Sequence, residues 1–333
     1  MLPSFQTDSI DYYQKKAYLT LLQLKRAFTR LPEGKRLLFF LIILTLFLYP
    51  GQNYWQTLSL NPTQPKVKAA NITLNQPLPP QPDQTPPPRL TAQAVFVFEP
   101  DSGTILHQIN PDTRLHPAST TKIMTALTAL DVYSPNDILT VKTGDQAIGQ
   151  SVHLETGQQF TAKDLLYAIL VASGNDAALT LAENYPDGGY SRFVELMNQK
   201  AKDLHLKNTS FTNVSGIEGG NHKTTVHDLA ILTKEAINNP LFMEIVNTPQ
   251  ITITDTTNQT QYKLETTNQL LGKIEGLRGI KTGWTENAGE CLITYVERNN
   301  KKIITVVLNS SDRFGETKQL IDWVYSHHTW PKQ

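Results

Sequence analysis

The sequence predicts an α/β fold of the α+β type, an antiparallel sheet flanked by helices, on three observations. Short apolar runs with strand character occur early in the folded region and again near its end. Helical periodicity fills the stretch between them. Turn signals separate neighbouring strands by only a few residues. Strands from both ends of a chain meet most simply in one antiparallel sheet, completed late, with the intervening helices packed on it.

The elements follow in order. Ala92–Phe98 and Gly103–Ile109 flank Glu-Pro-Asp-Ser-Gly, a hairpin signal. The 3.6-residue period predicts helices over Ser119–Leu130, Ala162–Ala172, Asn175–Asn184, Ser191–Leu204 and Val226–Asn238. Strands return at Leu277–Thr282, Glu290–Glu297 and Lys302–Leu308, the last two joined by Arg298-Asn299-Asn300-Lys301. Residues 312–327 close the pattern as a helix. There is no internal repeat.

Upstream of this domain, which spans about 91–330, the composition changes twice. Residues 1–36 carry seven Lys/Arg against three Asp/Glu, and the run LLFFLIILTLFLY follows at Leu37–Tyr49. Thirteen helical residues reach only about 20 Å, short of a ~30 Å hydrocarbon core. The run reads as a signal-peptide core or a short signal anchor. No small-x-small cleavage pattern follows, and Tyr54 and Trp55 suit a membrane interface, so an uncleaved anchor over 37–56 is the expectation. Positive charge stays cytoplasmic, which puts residues 1–36 inside and the remainder outside. Nine of the twenty prolines fall between Pro62 and Pro88, so residues 57–90 are expected to be an extended extracytoplasmic spacer.

Thirty basic and thirty acidic residues cancel, which gives no support to a nucleic-acid partner. The single cysteine, Cys291, excludes an intrachain disulfide framework. It sits in the apolar run Cys-Leu-Ile-Thr-Tyr-Val and reads as an inert core thiol, since reactive thiols need an electropositive, partly exposed setting. The eight histidines show no metal-ligand spacing, so no metal or other cofactor is expected and the histidines read as structural or solvated.

Three short elements carry the chemistry. Ser119-Thr-Thr-Lys122 begins a helix, and residues three apart share a face, so the amine reaches the hydroxyl. Free backbone N–H groups at a helix start suit a developing oxyanion. A lysine base must be neutral, which burial beside a second cation favours. Ser173-Gly-Asn175 lies between two helices, where a loop can aim a hydroxyl and an amide into one cleft. Lys281-Thr282-Gly283 ends a strand and offers a point charge and a hydroxyl to a carboxylate, with glycine allowing close approach. Each element alone has an ordinary reading: a capping serine with a surface lysine, a helix C-cap followed by an N-cap, a strand end. The third also occurs at Lys142-Thr143-Gly144, where Gly144-Asp145 reads as a turn; the 281 copy is preferred because it follows the other two in chain order.

The ordered set Ser-x-x-Lys, Ser-x-Asn, Lys-Thr-Gly is the motif combination of penicillin-binding proteins and class A β-lactamases. Over about 91–330 the chain resembles the D-alanyl-D-alanine carboxypeptidases of the low-molecular-mass penicillin-binding proteins (serine peptidase family S11). Long flanks carry the resemblance: Pro117-Ala-Ser-Thr-Thr-Lys-Ile-Met-Thr-Ala, Ala172-Ser-Gly-Asn-Asp-Ala-Ala, Phe211-Thr-Asn-Val-Ser-Gly-Ile and Gly279-Ile-Lys-Thr-Gly-Trp-Thr.

The resemblance implies a β-lactamase/DD-peptidase-like fold with an all-helical subdomain. It implies Ser119 as nucleophile toward the penultimate D-Ala carbonyl, Lys122 as base and Ser173 as proton relay. Asn175 would orient substrate and lysine, Lys281 and Thr282 would meet the terminal carboxylate beside Gly283, and the N–H groups of Ser119 and Trp284 would form the oxyanion hole. Arg313 matches an arginine that contacts the substrate carboxylate in some relatives; a solvated arginine is the other reading. The implied partners are peptidoglycan pentapeptides ending in D-Ala-D-Ala and β-lactams as covalent inhibitors, at the outer face of a bacterial cell membrane.

Trp284 departs from well-known relatives, which carry histidine there, and makes the pocket rim more apolar. The chain is expected to lack the β-rich C-terminal domain and amphipathic helix of many relatives, with the N-terminal anchor in their place. Three other activities use the same frame: a D,D-endopeptidase that cuts crosslinks, a β-lactamase, and a non-catalytic wall-binding module. Gly174 in the middle of the second element, and no convincing glutamate loop, disfavour the β-lactamase.

Overall fold

Strands that bury both faces must be apolar at successive positions rather than alternately. Residues 94–99, Ala-Val-Phe-Val-Phe-Glu, have this character, and every one is buried. The computed structural model describes residues 78–331, with Pro32 and Lys35 upstream. The expected basic segment, the anchor at 37–56 and most of the spacer lie outside the described residues. Among the described residues no helix is long and apolar enough to cross a membrane.

In chain order the strands and helices are β1 (Gln81–Pro82), β2 (Ala94–Glu99), β3 (Thr104–Ile109), α1 (Lys122–Val132), β4 (Ile138–Thr140), β5 (Gln159–Thr161), α2 (Ala162–Leu170), α3 (Asn175–Glu183), α4 (Gly189–Asp203), α5 (Val226–Ala236), α6 (Pro240–Val246), β6 (Gln250–Thr254), β7 (Gln261–Glu265), β8 (Leu277–Thr285), β9 (Gly289–Arg298), β10 (Lys301–Ser310), α7 (Arg313–His327) and β11 (His328–Thr329). The main sheet has the order β3-β2-β10-β9-β8, antiparallel throughout. The early hairpin thus joins the late strands, with β8 at the edge.

The period of two sorts the side chains between two cores. Phe96, Phe98, Ile293, Ile304 and Val306 face the helices α1–α6, while Val95, Val97, Leu292, Ile303 and Val307 face α7 through Leu320, Ile321 and Val324. The larger core lies between sheet and helices, and the cleft opens where edge strand β8 meets that helical part.

Four helices begin with a side-chain cap: Thr161 for α2, Thr225 for α5, Asn239 for α6 and Asp312 for α7. The starts of α1, α3 and α4 have no such cap. The first two of these carry the first and second sequence elements.

Several features depart from the sequence expectation. The predicted helix at 119–130 opens as a 3₁₀ turn, Ala118–Thr121, and becomes α-helical only at Lys122. The small sheets β4–β5 and β6–β7 and the helix α6 are too short or too polar to register as periodic segments. Residues 81–85, expected within the spacer, strap onto the domain. β1 pairs with β11, the Asp83 amide donates to His327 O at 2.8 Å, and the Trp323 indole donates to Thr85 O at 3.3 Å. Proline removes donors but leaves carbonyls, which explains how a proline-rich segment still docks.

Candidate active site

A 3₁₀ turn eclipses residues three apart more closely than an α-helix does. In the turn Ala118–Thr121 this brings Ser119 Oγ and Lys122 Nζ to 2.9 Å. Ala118 leads into the turn with φ +47°, a conformation that costs an L-residue about 1–3 kcal/mol and survives only where neighbours enforce it. The enforcing neighbours are glycines. A Cβ on Gly216 would lie 1.8 Å from Ala118 O, and one on Gly283 would lie 3.0 Å from Ser119 N. The nucleophile turn is therefore held between two glycine backbones.

Lys122 is buried, and its Nζ has three partners from three elements: Ser119 Oγ, Asn175 Oδ1 at 2.6 Å and Ser215 O at 2.8 Å. Two of these can only accept. A neutral amine gives its two N–H bonds to them and turns its lone pair toward the Ser119 hydroxyl. Burial, and then the positive charge of Lys281, push the Lys122 pKa well below the ordinary lysine value, while Asp176 opposes the shift. The site thus favours the lysine form that can accept a proton.

Ser173 adopts φ +64° between α2 and α3, and its Oγ accepts from Lys281 Nζ at 2.9 Å. Asn175 opens α3. Its amide NH₂ donates to Ile148 O at 2.5 Å and its backbone N–H to Gln150 O at 2.7 Å. The loop 148–154 is fastened further by buried Asp176, whose carboxylate accepts from Ser151 Oγ at 2.7 Å, Leu154 N at 2.9 Å and Val152 N at 3.1 Å.

Lys281 is buried on β8, and burial, followed by the charge of Arg313, lowers its pKa to about 7. Arg313 Nη1 donates to Gly283 O at 2.8 Å, while its Nε is buried with no acceptor among the described residues. Thr282 Oγ1 lies 2.6 Å from Thr267 Oγ1. Two cations and two hydroxyls beside the serine suit an anionic group one residue away from the reacting carbonyl.

Ser119, Ser173, Thr282, Gly283, Trp284 and Arg313 all line one open cleft of about 550 Å³, with Ile148 and Glu218 among the residues at its sides. Lys122, Asn175 and Lys281 lie behind this lining through the bonds above. The structure thus brings all nine predicted site residues to one cleft. Trp284 is 64 % exposed and lines the rim of the cleft beside Gly283. The competing Lys-Thr-Gly takes no part: Lys142 Nζ donates to Glu183 O at 2.8 Å and Thr143 Oγ1 to the Glu183 carboxylate.

The sequence profile of the D-alanyl-D-alanine carboxypeptidase family, peptidase S11, matches residues 81–312. The chain belongs to this family. It is 34 % identical over 246 residues to D-alanyl-D-alanine carboxypeptidase DacF of Bacillus subtilis, covering 71 % of this chain and 63 % of that protein. A D-alanyl-D-alanine endopeptidase of Pseudomonas aeruginosa is 32 % identical over 250 residues, 72 % of this chain and 79 % of that one. Among solved structures, the Streptomyces K15 DD-transpeptidase superposes with a TM-score of 0.70 at 29 % identity, over 73 % of this chain and all of that one. The match establishes the DD-peptidase fold. The family profile begins at residue 81, where the strap begins, rather than at 91.

Sequence reasoning missed several contributors to this S11 site. Ser215 offers a backbone carbonyl, which any residue type supplies, so no side-chain signal marks it. Asp176 adjoins Asn175 and was visible only as part of a matching stretch. Thr267 precedes β8 in an irregular segment. Among the described residues no group of three or more His, Cys, Asp or Glu side chains is arranged to hold a metal ion. Cys291 is fully buried and burial raises its thiol pKa to about 12, in keeping with a core residue.

Proposed function

We propose that the protein is a serine-type D-Ala-D-Ala carboxypeptidase that removes the terminal D-Ala from peptidoglycan stem peptides and is acylated by β-lactams. The observation that carries this reading is Lys122: a buried amine of lowered pKa, 2.9 Å from Ser119 Oγ, with both its N–H acceptors already supplied. Ser119 Oγ attacks the carbonyl carbon of the penultimate D-Ala as its proton passes to Lys122. The amides of Ser119 and Trp284 stabilise the oxyanion. Ser173, bonded to Lys281, relays a proton to the departing D-Ala nitrogen, and water then hydrolyses the acyl-enzyme. Lys281, Thr282 and Arg313 hold the terminal carboxylate. A bound carboxylate favours the charged form of Lys281, so binding above pH 7 takes up a proton.

The chain spans less than two thirds of the curated carboxypeptidase it matches first, and the endopeptidase relative uses the same family fold. Products separate the two activities: free D-Ala from a pentapeptide, or monomers from crosslinked dimers. In the same reading residues 37–56 anchor the chain as a single pass in the bacterial cell membrane. Residues 57–80 space it, and the catalytic domain works outside. The apolar run 37–49 and the basic excess before it support this placement.

The test is labelling of the full chain by a fluorescent penicillin, wild type against Ser119→Ala, with D-Ala release from a pentapeptide alongside. The wild type is expected to label and release D-Ala and the variant to do neither. Equal labelling of the variant would remove Ser119 from its role.

A further inference from the structure

Lys122 receives its third partner, Ser215 O, from the loop between α4 and α5, 93 residues away in sequence. Nothing periodic holds that loop, yet its carbonyl must stay within hydrogen-bond reach of the amine. Thr125 of α1 donates to Val214 O at 2.7 Å, and a second side chain bridges the loop to the nucleophile turn itself. His222 is fully buried; its Nδ1 lies 3.0 Å from the Thr212 amide and its Nε2 lies 2.8 Å from Thr121 Oγ1. A backbone N–H can only donate, so Nδ1 is the bare nitrogen and the ring proton sits on Nε2, given to the hydroxyl of the residue next to Lys122. The ring also meets the Phe211 ring edge-on, with centroids 5.7 Å apart.

We propose that His222, as its neutral Nε2–H form, is a positioning residue for the general base: it fixes the 211–217 loop against the Ser119–Lys122 turn and so keeps Ser215 O on Lys122 Nζ. The inference rests on the reading of Ser119 and Lys122 as nucleophile and base. Burial, and then neighbouring His116, lower the His222 pKa to about 4, which keeps the link in one form across neutral pH. Protonation would set a second N–H against the Thr212 amide. The charged groups acting on Lys122 itself are Lys281 and Asp176.

Two variants separate positioning from mere stability. His222→Phe keeps a buried ring and removes both hydrogen bonds. Thr121→Val keeps the volume and removes only the acceptor of Nε2–H. The readout is the second-order rate of acylation of the full chain by a fluorescent penicillin from pH 5 to 10, with a thermal melt alongside. Both variants should lose about 10- to 100-fold in rate, as a base displaced by up to an ångström does. The acid limb should move to lower pH, because a lost carbonyl acceptor weakens the ammonium form most. If His222→Phe fails to fold, Thr121→Val decides alone. Thr121→Val acylating at the wild-type rate with an unmoved acid limb overturns the inference, whatever its melting temperature. A wild type that is not acylated at all would instead sink the carboxypeptidase reading.

Discussion

Replacing Gly216 by alanine should disable the nucleophile without touching a side chain of the site. Gly216 has φ +89°, and an added Cβ would fall 1.8 Å from Ala118 O and 2.3 Å from Ala118 C. Both are backbone atoms, so no side-chain rotation relieves the overlap; the two segments must separate by about 1 Å or more in a close-packed interior. The left-handed backbone costs an alanine roughly 1–2 kcal/mol. Overpacking adds about 1–3 kcal/mol. The lower entropy of the unfolded alanine chain returns only about 0.4–1 kcal/mol, so destabilisation wins by about 1–5 kcal/mol. The displaced atoms belong to the residue before Ser119, and a shift of that size costs about 10²-fold in a positioned reaction. Urea unfolding measures the first effect and the rate of penicillin acylation, scaled to folded protein, measures the second. Gly219→Ala is the control: that position meets nothing within 4 Å. If Gly216→Ala matches the control in both assays, the backbone contact does not hold the turn.

Two further outcomes follow from the buried charges. Asp176→Asn replaces an acceptor of three loop hydrogen bonds by a group that must also donate, so it should cost about 2–4 kcal/mol in urea unfolding and slow acylation through the loosened Ile148 and Gln150 carbonyls; an unchanged midpoint would count against the loop's role. Lys281, with its folded pKa lowered to about 7, binds fewer protons than the unfolded chain between pH 7 and the ordinary lysine value. Its contribution to stability therefore grows as pH rises through that window, by up to about 1.4 kcal/mol per pH unit. Lys281→Met should lose this slope, so the wild type gains stability relative to the variant from about pH 7.5 to 9.5; parallel pH profiles would contradict a depressed pKa.

Much of the fold was legible because it depends on local periodicity. The apolar runs at Ala92–Phe98, Glu290–Glu297 and Lys302–Leu308 needed burial on both faces, and each became a strand of the main sheet. What was too short to show a period, such as the seven-residue α6 or the three-residue β4 and β5, was not legible. The docking of residues 81–85 escaped because composition reports the entropy of a segment and says nothing of an available partner such as β11.

By itself the sequence determined the family, the order of the three motif elements and the pairing of Ser119 with Lys122, since three-residue spacing sets one face of a turn whatever surrounds it. Only the tertiary structure decided that Arg313 reaches Gly283 O and that the base is completed by the Ser215 carbonyl. Lys281 meets Ser173 across 108 residues, a contact that no spacing rule encodes. The physical reason is that such groups lie on separate elements. They converge because the sheet, the helices and two close glycine contacts leave the chain one way to pack, and that same burial is what lowers both lysine pKa values.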